Sequence, residues 1–298
     1  MFYEHPLLKR PILSRSKLES AIVVLNPAES KRLIAKAVAV LPEVKAALEK
    51  GTLIIGWGTT NSFVAEEIIG KTISHKTDFA SGVICDGELA VNHSSTKMMP
   101  YVLKNGTLSE MHQKAALSEF KPGDVFIKGA NAIDSKGDIG ILVAGQRGGS
   151  VGDAWLGTIV RGGEFICPVG LEKLVPSINE AADKCGIFSF KYSTGVPVSF
   201  VTFSSAKVVT EIQAIQVLTG ASATHVASGG IGGSEGAVTL VLEGEAQVLD
   251  QAFELVKSIK GEPLLPPPRQ TQTPPAASLG YDAQALAKLL DEKLRLLP

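Results

Sequence analysis

The sequence predicts an α/β protein: a mostly parallel, Rossmann-like sheet with helices on both faces, joined to a small ferredoxin-like α+β subdomain. Three observations predict it. Short apolar runs alternate with segments of helical periodicity, the pattern of strands joined by crossover helices. The chain holds 30 glycines in 298 residues, several directly after an apolar run, which suits tight strand-to-helix turns. Apolar residues make up 45% of the chain and charged residues 20%, enough to bury a core and too balanced for disorder.

Residues 1–29 read as irregular, broken by Pro6, Pro11 and Pro27. Ser30 is the expected N-cap of a helix over 30–41, whose Leu33, Ile34, Ala37, Val38 and Leu41 fall at helical spacing. Pro42 starts a second helical piece, and Gly51 ends it. Residues 52–56 form a continuous apolar run, expected as a buried parallel strand. A small-residue loop and a helix over 63–69 follow. Further strands are expected at 83–85, 124–127, 139–144 and 164–168, with a helix over 151–160.

The pattern changes near Ser204. Strand 206–210, helix 212–218, strands 224–227 and 237–242, and an amphipathic helix over 245–260 read as βαββα, most of a split βαβ unit. The domain plan is therefore 1–204 (α/β), 205–262 (βαββα), 263–280 (a Pro-rich linker) and 281–298 (a C-terminal helix). That last helix carries Leu286, Leu289, Leu290 and Leu294 on one face. It must dock to be stable, on its own chain or on a neighbour, and a homo-oligomer is expected.

Composition removes several function classes. The net charge is −1 and no dense Lys/Arg run occurs, which argues against nucleic acid as a partner. Cys85, Cys167 and Cys185 are odd in number and widely spaced, arguing against a disulfide framework or a Cys-based zinc site. His93, His112 and His225 lack partners at metal spacing, so no metal is expected. No cofactor motif is evident. Met1 to Arg15 has no apolar signal region, and no uncharged run reaches the ~18 residues needed to span a bilayer. A cytoplasmic location without membrane contact is the expectation.

Five segments could carry chemistry. Gly56, Gly58, Thr59, Thr60, Asn61 and Ser62 lie between a strand and a helix. Glycines admit close backbone approach, hydroxyls add donors, and the helix N-terminus is positive, so the loop suits a phosphate or carboxylate. An ordinary capped turn is the other reading. It is neither a Walker A loop nor Gly-x-Gly-x-x-Gly, since Asn61 stands at the last position. Lys128, Gly129, Asn131 and Asp134 follow the 124–127 strand, where open α/β sheets bind ligands. Lys128 could stabilise an oxyanion and Asp134 could move a proton, or the loop is simply polar. Gly148, Gly149 and Ser150 form a second Gly-rich turn before a helix, with Arg147 as a charge partner. Asp86 and Glu88 flank Gly87 and could serve as acid or base, although a turn is the plainer reading. Gly229 to Gly236 reads as a hairpin connection. Cys85 reads as a small core residue.

Residues 53–62, Leu-Ile-Ile-Gly-Trp-Gly-Thr-Thr-Asn-Ser, resemble the phosphate loop of the ribose-5-phosphate isomerase, glucosamine-6-phosphate deaminase and CoA-transferase superfamily. Residues 123–133, followed by Lys136-Gly137-Asp138, are similar to the Gly-Ala-Asp-x-Ile…Asn-Gly-Asp segment of its methylthioribose-1-phosphate isomerase branch. Residues 163–168 are similar to the strand that follows there. Asp86-Gly87-Glu88 and Lys128-Gly129 partly match segments of ribose-5-phosphate isomerases. The resemblance spans about residues 50–170. It implies a small anionic metabolite as ligand and aldose–ketose isomerisation as the reaction, with Lys128 on an enediolate oxyanion and Asp134, Asp86 or Glu88 as proton carrier. Asn131 stands where that branch has its acid, which favours the alternative of a non-catalytic sensing or assembly subunit. CoA transfer, with Glu88 or Glu172 as nucleophile, is a third reading.

Overall fold

The computed structural model of the protein describes residues 1–4, 18–145 and 147–272. In chain order, β1 (Glu19–Leu25) leads into α1 (Pro27–Val40), α2 (Pro42–Lys50), β2 (Thr52–Ile55) and α3 (Thr59–Ile69). Two pairs of strands follow, β3 (Gly82–Cys85) with β4 (Glu88–Asn92) and β5 (Tyr101–Lys104) with β6 (Thr107–Ser109), and then α4 (Gln113–Ser118). Next come β7 (Val125–Ile127), β8 (Ala132–Ile133), β9 (Ile139–Val143), α5 (Gly149–Val160), β10 (Glu164–Pro168), α6 (Ile178–Asp183) and β11 (Ser199–Phe203). The described chain closes with β12 (Lys207–Val209), α7 (Glu211–Thr219), β13 (Ser222–Ser228), β14 (Val238–Gly244), α8 (Ala246–Ile259) and β15 (Thr271–Gln272).

The largest sheet has six strands in the order β12-β10-β7-β2-β5-β6. It is mixed: β12, β10, β7 and β2 run parallel, whereas β5 and β6 add an antiparallel hairpin beyond β2. Its central strands are apolar on both faces, as buried parallel strands must be. Leu53, Ile55, Val125 and Ile127 face a core shared with α1, α2, α3 and α7. Ile54, Phe126 and Phe165 face a second core with α4, α5 and the small antiparallel sheet β8-β9-β11. In that second core Trp155 packs edge-on against Phe165 and Phe203, with ring centroids 5.0 and 4.5 Å apart. Helix α3, after β2, and helix α5, before β10, lie on opposite faces of the sheet. The connections leaving β2 and β7 therefore diverge, which opens a crevice at the carboxyl ends of these two strands.

Several expectations change. Residues 19–25 are a strand rather than irregular chain. β1 pairs antiparallel with β14 from Glu19↔Gly244 to Leu25↔Val238, a partner more than 200 residues away that no local signal reveals. Helix α1 is capped by Asn26, not Ser30. The Asn26 side chain accepts from the Ala28 and Glu29 amides, and Glu29 reaches back to the Asn26 amide, all at 2.9 Å. Pro27 then occupies the first helical position, where its missing N–H costs nothing. Strands 83–85 and 139–144 lie outside the six-stranded sheet. β3 pairs with β4, and β9 lies between β8 and β11.

The βαββα order of 205–262 is present, but β12 belongs to the large sheet. The small sheet is β1-β14-β13. Because β1 and β13 are each antiparallel to β14, they run parallel to one another with β14 between them. This is the split βαβ arrangement with β1 as its first strand. Val23, Leu25, Val238, Leu240, Leu242, Val256 and Ile259 belong to the same buried cluster as Leu53 and Val125, so the small sheet shares the core of the large one. Residues 263–272 of the expected linker are docked: β15 pairs with β4, and the Arg269 guanidinium donates to the buried Asp78 carboxylate. The expected helix over 281–298 lies outside the described residues.

Candidate anion-binding site

A cavity of about 730 Å³ opens at the carboxyl ends of β2 and β7. Three loops build its polar wall. The first runs from β2 into α3. Gly56 continues the β2–β7 pairing through its amide to the Ile127 carbonyl (2.9 Å). A Cβ there would lie 3.1 Å from the Phe126 ring and 3.2 Å from the Ile127 oxygen, so a side chain at this position would crowd β7. Gly58, Thr59 and Thr60 line the cavity. Gly58 caps α3 with no side-chain hydrogen bond to the first turn, leaving first-turn amides available to an anion.

Asn61 and Ser62 stand behind this wall. Asn61 is fully buried; its amide donates to the Gly56 (2.7 Å) and Ile127 (3.2 Å) carbonyls, and its Oδ1 has no hydrogen-bond partner among the described residues. A Cβ on Gly129 would come within 3.8 Å of that oxygen. Asn61 thus ties the first loop to the second. The Ser62 hydroxyl donates to Thr59 O at 2.7 Å, a bond within the helix.

The second loop leaves β7. Lys128 extends the pairing with β10 through its amide to Ile166 O (3.0 Å), and Lys128, Gly129 and Asn131 line the cavity. The Lys128 side chain is half-buried, and no hydrogen bond or ion pair of its ammonium is found among the described residues. Burial pushes its pKa down to about 8, and neighbouring Lys173 adds to that effect. Cys167, the buried thiol on β10, is itself pushed up to about 12 by burial. It remains a neutral thiol and supplies no counter-charge. The Asn131 Oδ1 accepts from the Leu142 amide at 3.1 Å, which fixes this loop on β9.

The third loop, Gly148, Gly149 and Ser150, enters α5 at the same cavity. Gly148 and Gly149 have φ of 76° and 57°, a region that favours glycine, and this helix start also lacks a side-chain cap. The two Gly-rich loops therefore face one pocket, each presenting a helix N-terminus.

Two lysines not expected from sequence join the site. Lys173, on a short 3-10 turn (Leu171–Lys173) after β10, donates to Ala130 O at 3.0 Å. Lys97 sits over the Trp57 ring, 5.0 Å from its centroid. Burial lowers the pKa of both. Neither stands in a motif; only the folded chain brings them to the loops. Among the described residues, Lys97, Lys128 and Lys173 are the charged ones lining the cavity, and no aspartate or glutamate lines it.

The expected proton carriers lie elsewhere. Asp134 is buried in the β8–β9 connection and its carboxylate is occupied: Oδ1 accepts from the Lys136 (2.9 Å) and Asp138 (3.2 Å) amides, and Oδ2 from Ile178 (3.2 Å). Asp86 and Gly87, with φ of 54° and 77°, form the tight turn of the β3–β4 hairpin. Asp86 and Glu88 are exposed there, whereas Cys85 and Leu89 on the same hairpin face the cavity. Glu172 pairs with Lys31 at 3.0 Å. Among the described residues no cluster of His, Cys, Asp and Glu could hold a metal ion, and no helix is long and apolar enough to cross a membrane.

Pro266, Pro267 and Pro268, between α8 and β15, form part of the cavity wall. Arg269 on Asp78, and the His93 amide on Gln270 O (2.9 Å), pin this segment across β4. No protein family, curated protein or solved structure matches the chain.

Proposed function

We propose that the protein binds a small phosphorylated or carboxylated metabolite in this cavity. One observation carries the reading: three lysines and two helix N-termini without side-chain caps converge on a pocket whose lining, among the described residues, holds no carboxylate. Bringing three cations into one partly desolvated space is costly unless an anion compensates them. The α3 and α5 amides supply donors, Lys128 supplies an unpaired charge, and the apolar wall of β3, β4 and β9 encloses the remainder of the ligand.

Aldose–ketose isomerisation needs a proton carrier that touches the substrate. Asp134, Asp86 and Glu88 are away from the cavity, so turnover would rest on Lys128 in its neutral form. Ligand sensing without turnover needs no such group, and Asn131 fits that second reading.

The test is a thermal-shift panel of orthophosphate, sugar phosphates, nucleotides, CoA esters and small carboxylates. A ligand at 100 times its Kd adds about 2.7 kcal/mol, worth roughly 4 °C for a chain of this size. Thr60→Glu places a carboxylate at the α3 N-terminus and is expected to abolish the shift. No shift with any anion, or one that survives Thr60→Glu, counts against the reading.

A further inference from the structure

We propose that Lys128 is a nucleophile that forms an imine with the carbonyl carbon of an anionic aldehyde or ketone held in the cavity. This rests on the anion-binding reading and names the substrate class: a small oxo compound carrying a carboxylate or phosphate.

The geometry distinguishes Lys128 from the other lysines of the site. Lys173 is held by the Ala130 carbonyl and Lys97 lies on the Trp57 ring. Among the described residues Lys128 has no such partner, and it directly follows β7 and lines the cavity together with both Gly-rich loops. A pocket that only attracts anions gains from a lysine that stays charged. A nucleophilic amine instead needs desolvation and a cationic neighbour, both of which favour its neutral form. Lys128 has both: it is half-buried and the cationic Lys173 acts on it, while the buried Cys167 thiol is held neutral. Among the described residues no carboxylate lines the pocket to restore the ammonium. The helix N-termini and Lys97 remain free to hold the anionic group, which presents the carbonyl to the amine.

The step balances without a further reagent. The Lys128 Nζ lone pair attacks the carbonyl carbon, a C–N bond forms, and the carbonyl oxygen takes a proton to give the carbinolamine. The C–O bond then breaks, and the oxygen leaves as water. Starting from the ammonium, the products are the protonated imine and one water, with no net proton exchanged.

The experiment traps the adduct. The full chain is incubated with glyceraldehyde 3-phosphate or pyruvate and sodium cyanoborohydride, and the reduced adduct is located by peptide mass spectrometry. One adduct per chain at Lys128 is expected, at more than tenfold the labelling of exposed Lys257. Lys128→Arg keeps a charge but carries no nucleophilic amine, and it is expected to lose the adduct. Glycerol 3-phosphate and lactate, which lack the carbonyl, are titrated in parallel. Binding of these without trapping at Lys128 overturns the imine and leaves the anion site standing. Labelling spread evenly over surface lysines, or undiminished in Lys128→Arg, overturns it as well. Neither binding nor trapping overturns both readings.

Discussion

Lys128 concentrates the electrostatic cost of the site in one side chain. Its pKa falls from an ordinary 10.5 to about 8 because burial disfavours the ammonium, so below about pH 8 the folded protein carries a charge it solvates poorly. Between those two values the unfolded chain binds more protons than the folded one, and stability without ligand therefore rises with pH across that window. Lys128→Met removes the cost. We expect this variant to be more stable than the wild type at neutral pH by about 1–3 kcal/mol, to show a smaller rise between pH 8 and 10.5, and to bind anions more weakly. Urea denaturation at several pH values measures the first two, and a less stable ligand-free variant would contradict the account. Lys128 was legible in the sequence because it directly follows an apolar strand. Lys97 and Lys173 were not, since each lies in an unremarkable segment. Asp134 is a lesson in the other direction: an aspartate in a polar loop beside Gly137 satisfies three backbone amides, and a turn needs the same residue type as proton transfer does.

At the scale of elements, the site depends on two strand-to-helix turns whose glycines have steric reasons to be there. A Cβ on Gly152, in the first turn of α5, would lie 1.8 Å from the Arg147 carbonyl oxygen. Gly152→Ala must push the Arg147 carbonyl away from the helix start. The expected result is a loss of about 1–3 kcal/mol with a weaker affinity for phosphate, read by thermal melting and calorimetry; unchanged affinity would separate this loop from the site. The strands β2, β7 and β10 were legible because buried parallel strands are continuous apolar runs. The hairpins β3–β4 and β5–β6 are short and half-polar, and their Asp86-Gly87 and Asn105-Gly106 turns, all at positive φ, are the local signal that marks them. β1 has no such signal: Ile22 and Val24 point outward while Val23 and Leu25 are buried, so the strand shows no alternation of polarity.

Over the whole molecule, the chain closes on itself twice. β1 completes the β13–β14 sheet, which makes one shared core from segments that look like separate domains. The segment over 265–272 then crosses the cavity and is fastened by Arg269 to Asp78, a carboxylate with no solvent exposure. Arg269→Ala leaves that carboxylate without its cation and is expected to cost about 1–3 kcal/mol. It is also expected to speed hydrogen exchange at the His93 amide, which is bonded to Gln270, and to raise the rate of ligand entry, while β2 amides stay protected. Equal exchange at His93 in variant and wild type would show that Arg269 does not hold the segment. None of these long-range closures is encoded in a local pattern, which is why the αβ alternation was readable and the assembly of the sheets was not.

The most direct test of an anion pocket governed by Lys128 is isothermal titration of glycerol 3-phosphate into the wild-type protein near neutral pH and again above pH ~9. The ligand's own charge is nearly constant over that range, so the change reports the protein. Loss of one charge-assisted hydrogen bond is worth about 1.5–3 kcal/mol, and the account predicts roughly 10- to 100-fold weaker binding at the higher pH, with Lys128→Met weak at both. Equal affinity at the two pH values, or a Lys128→Met variant that binds as tightly as the wild type, would contradict it.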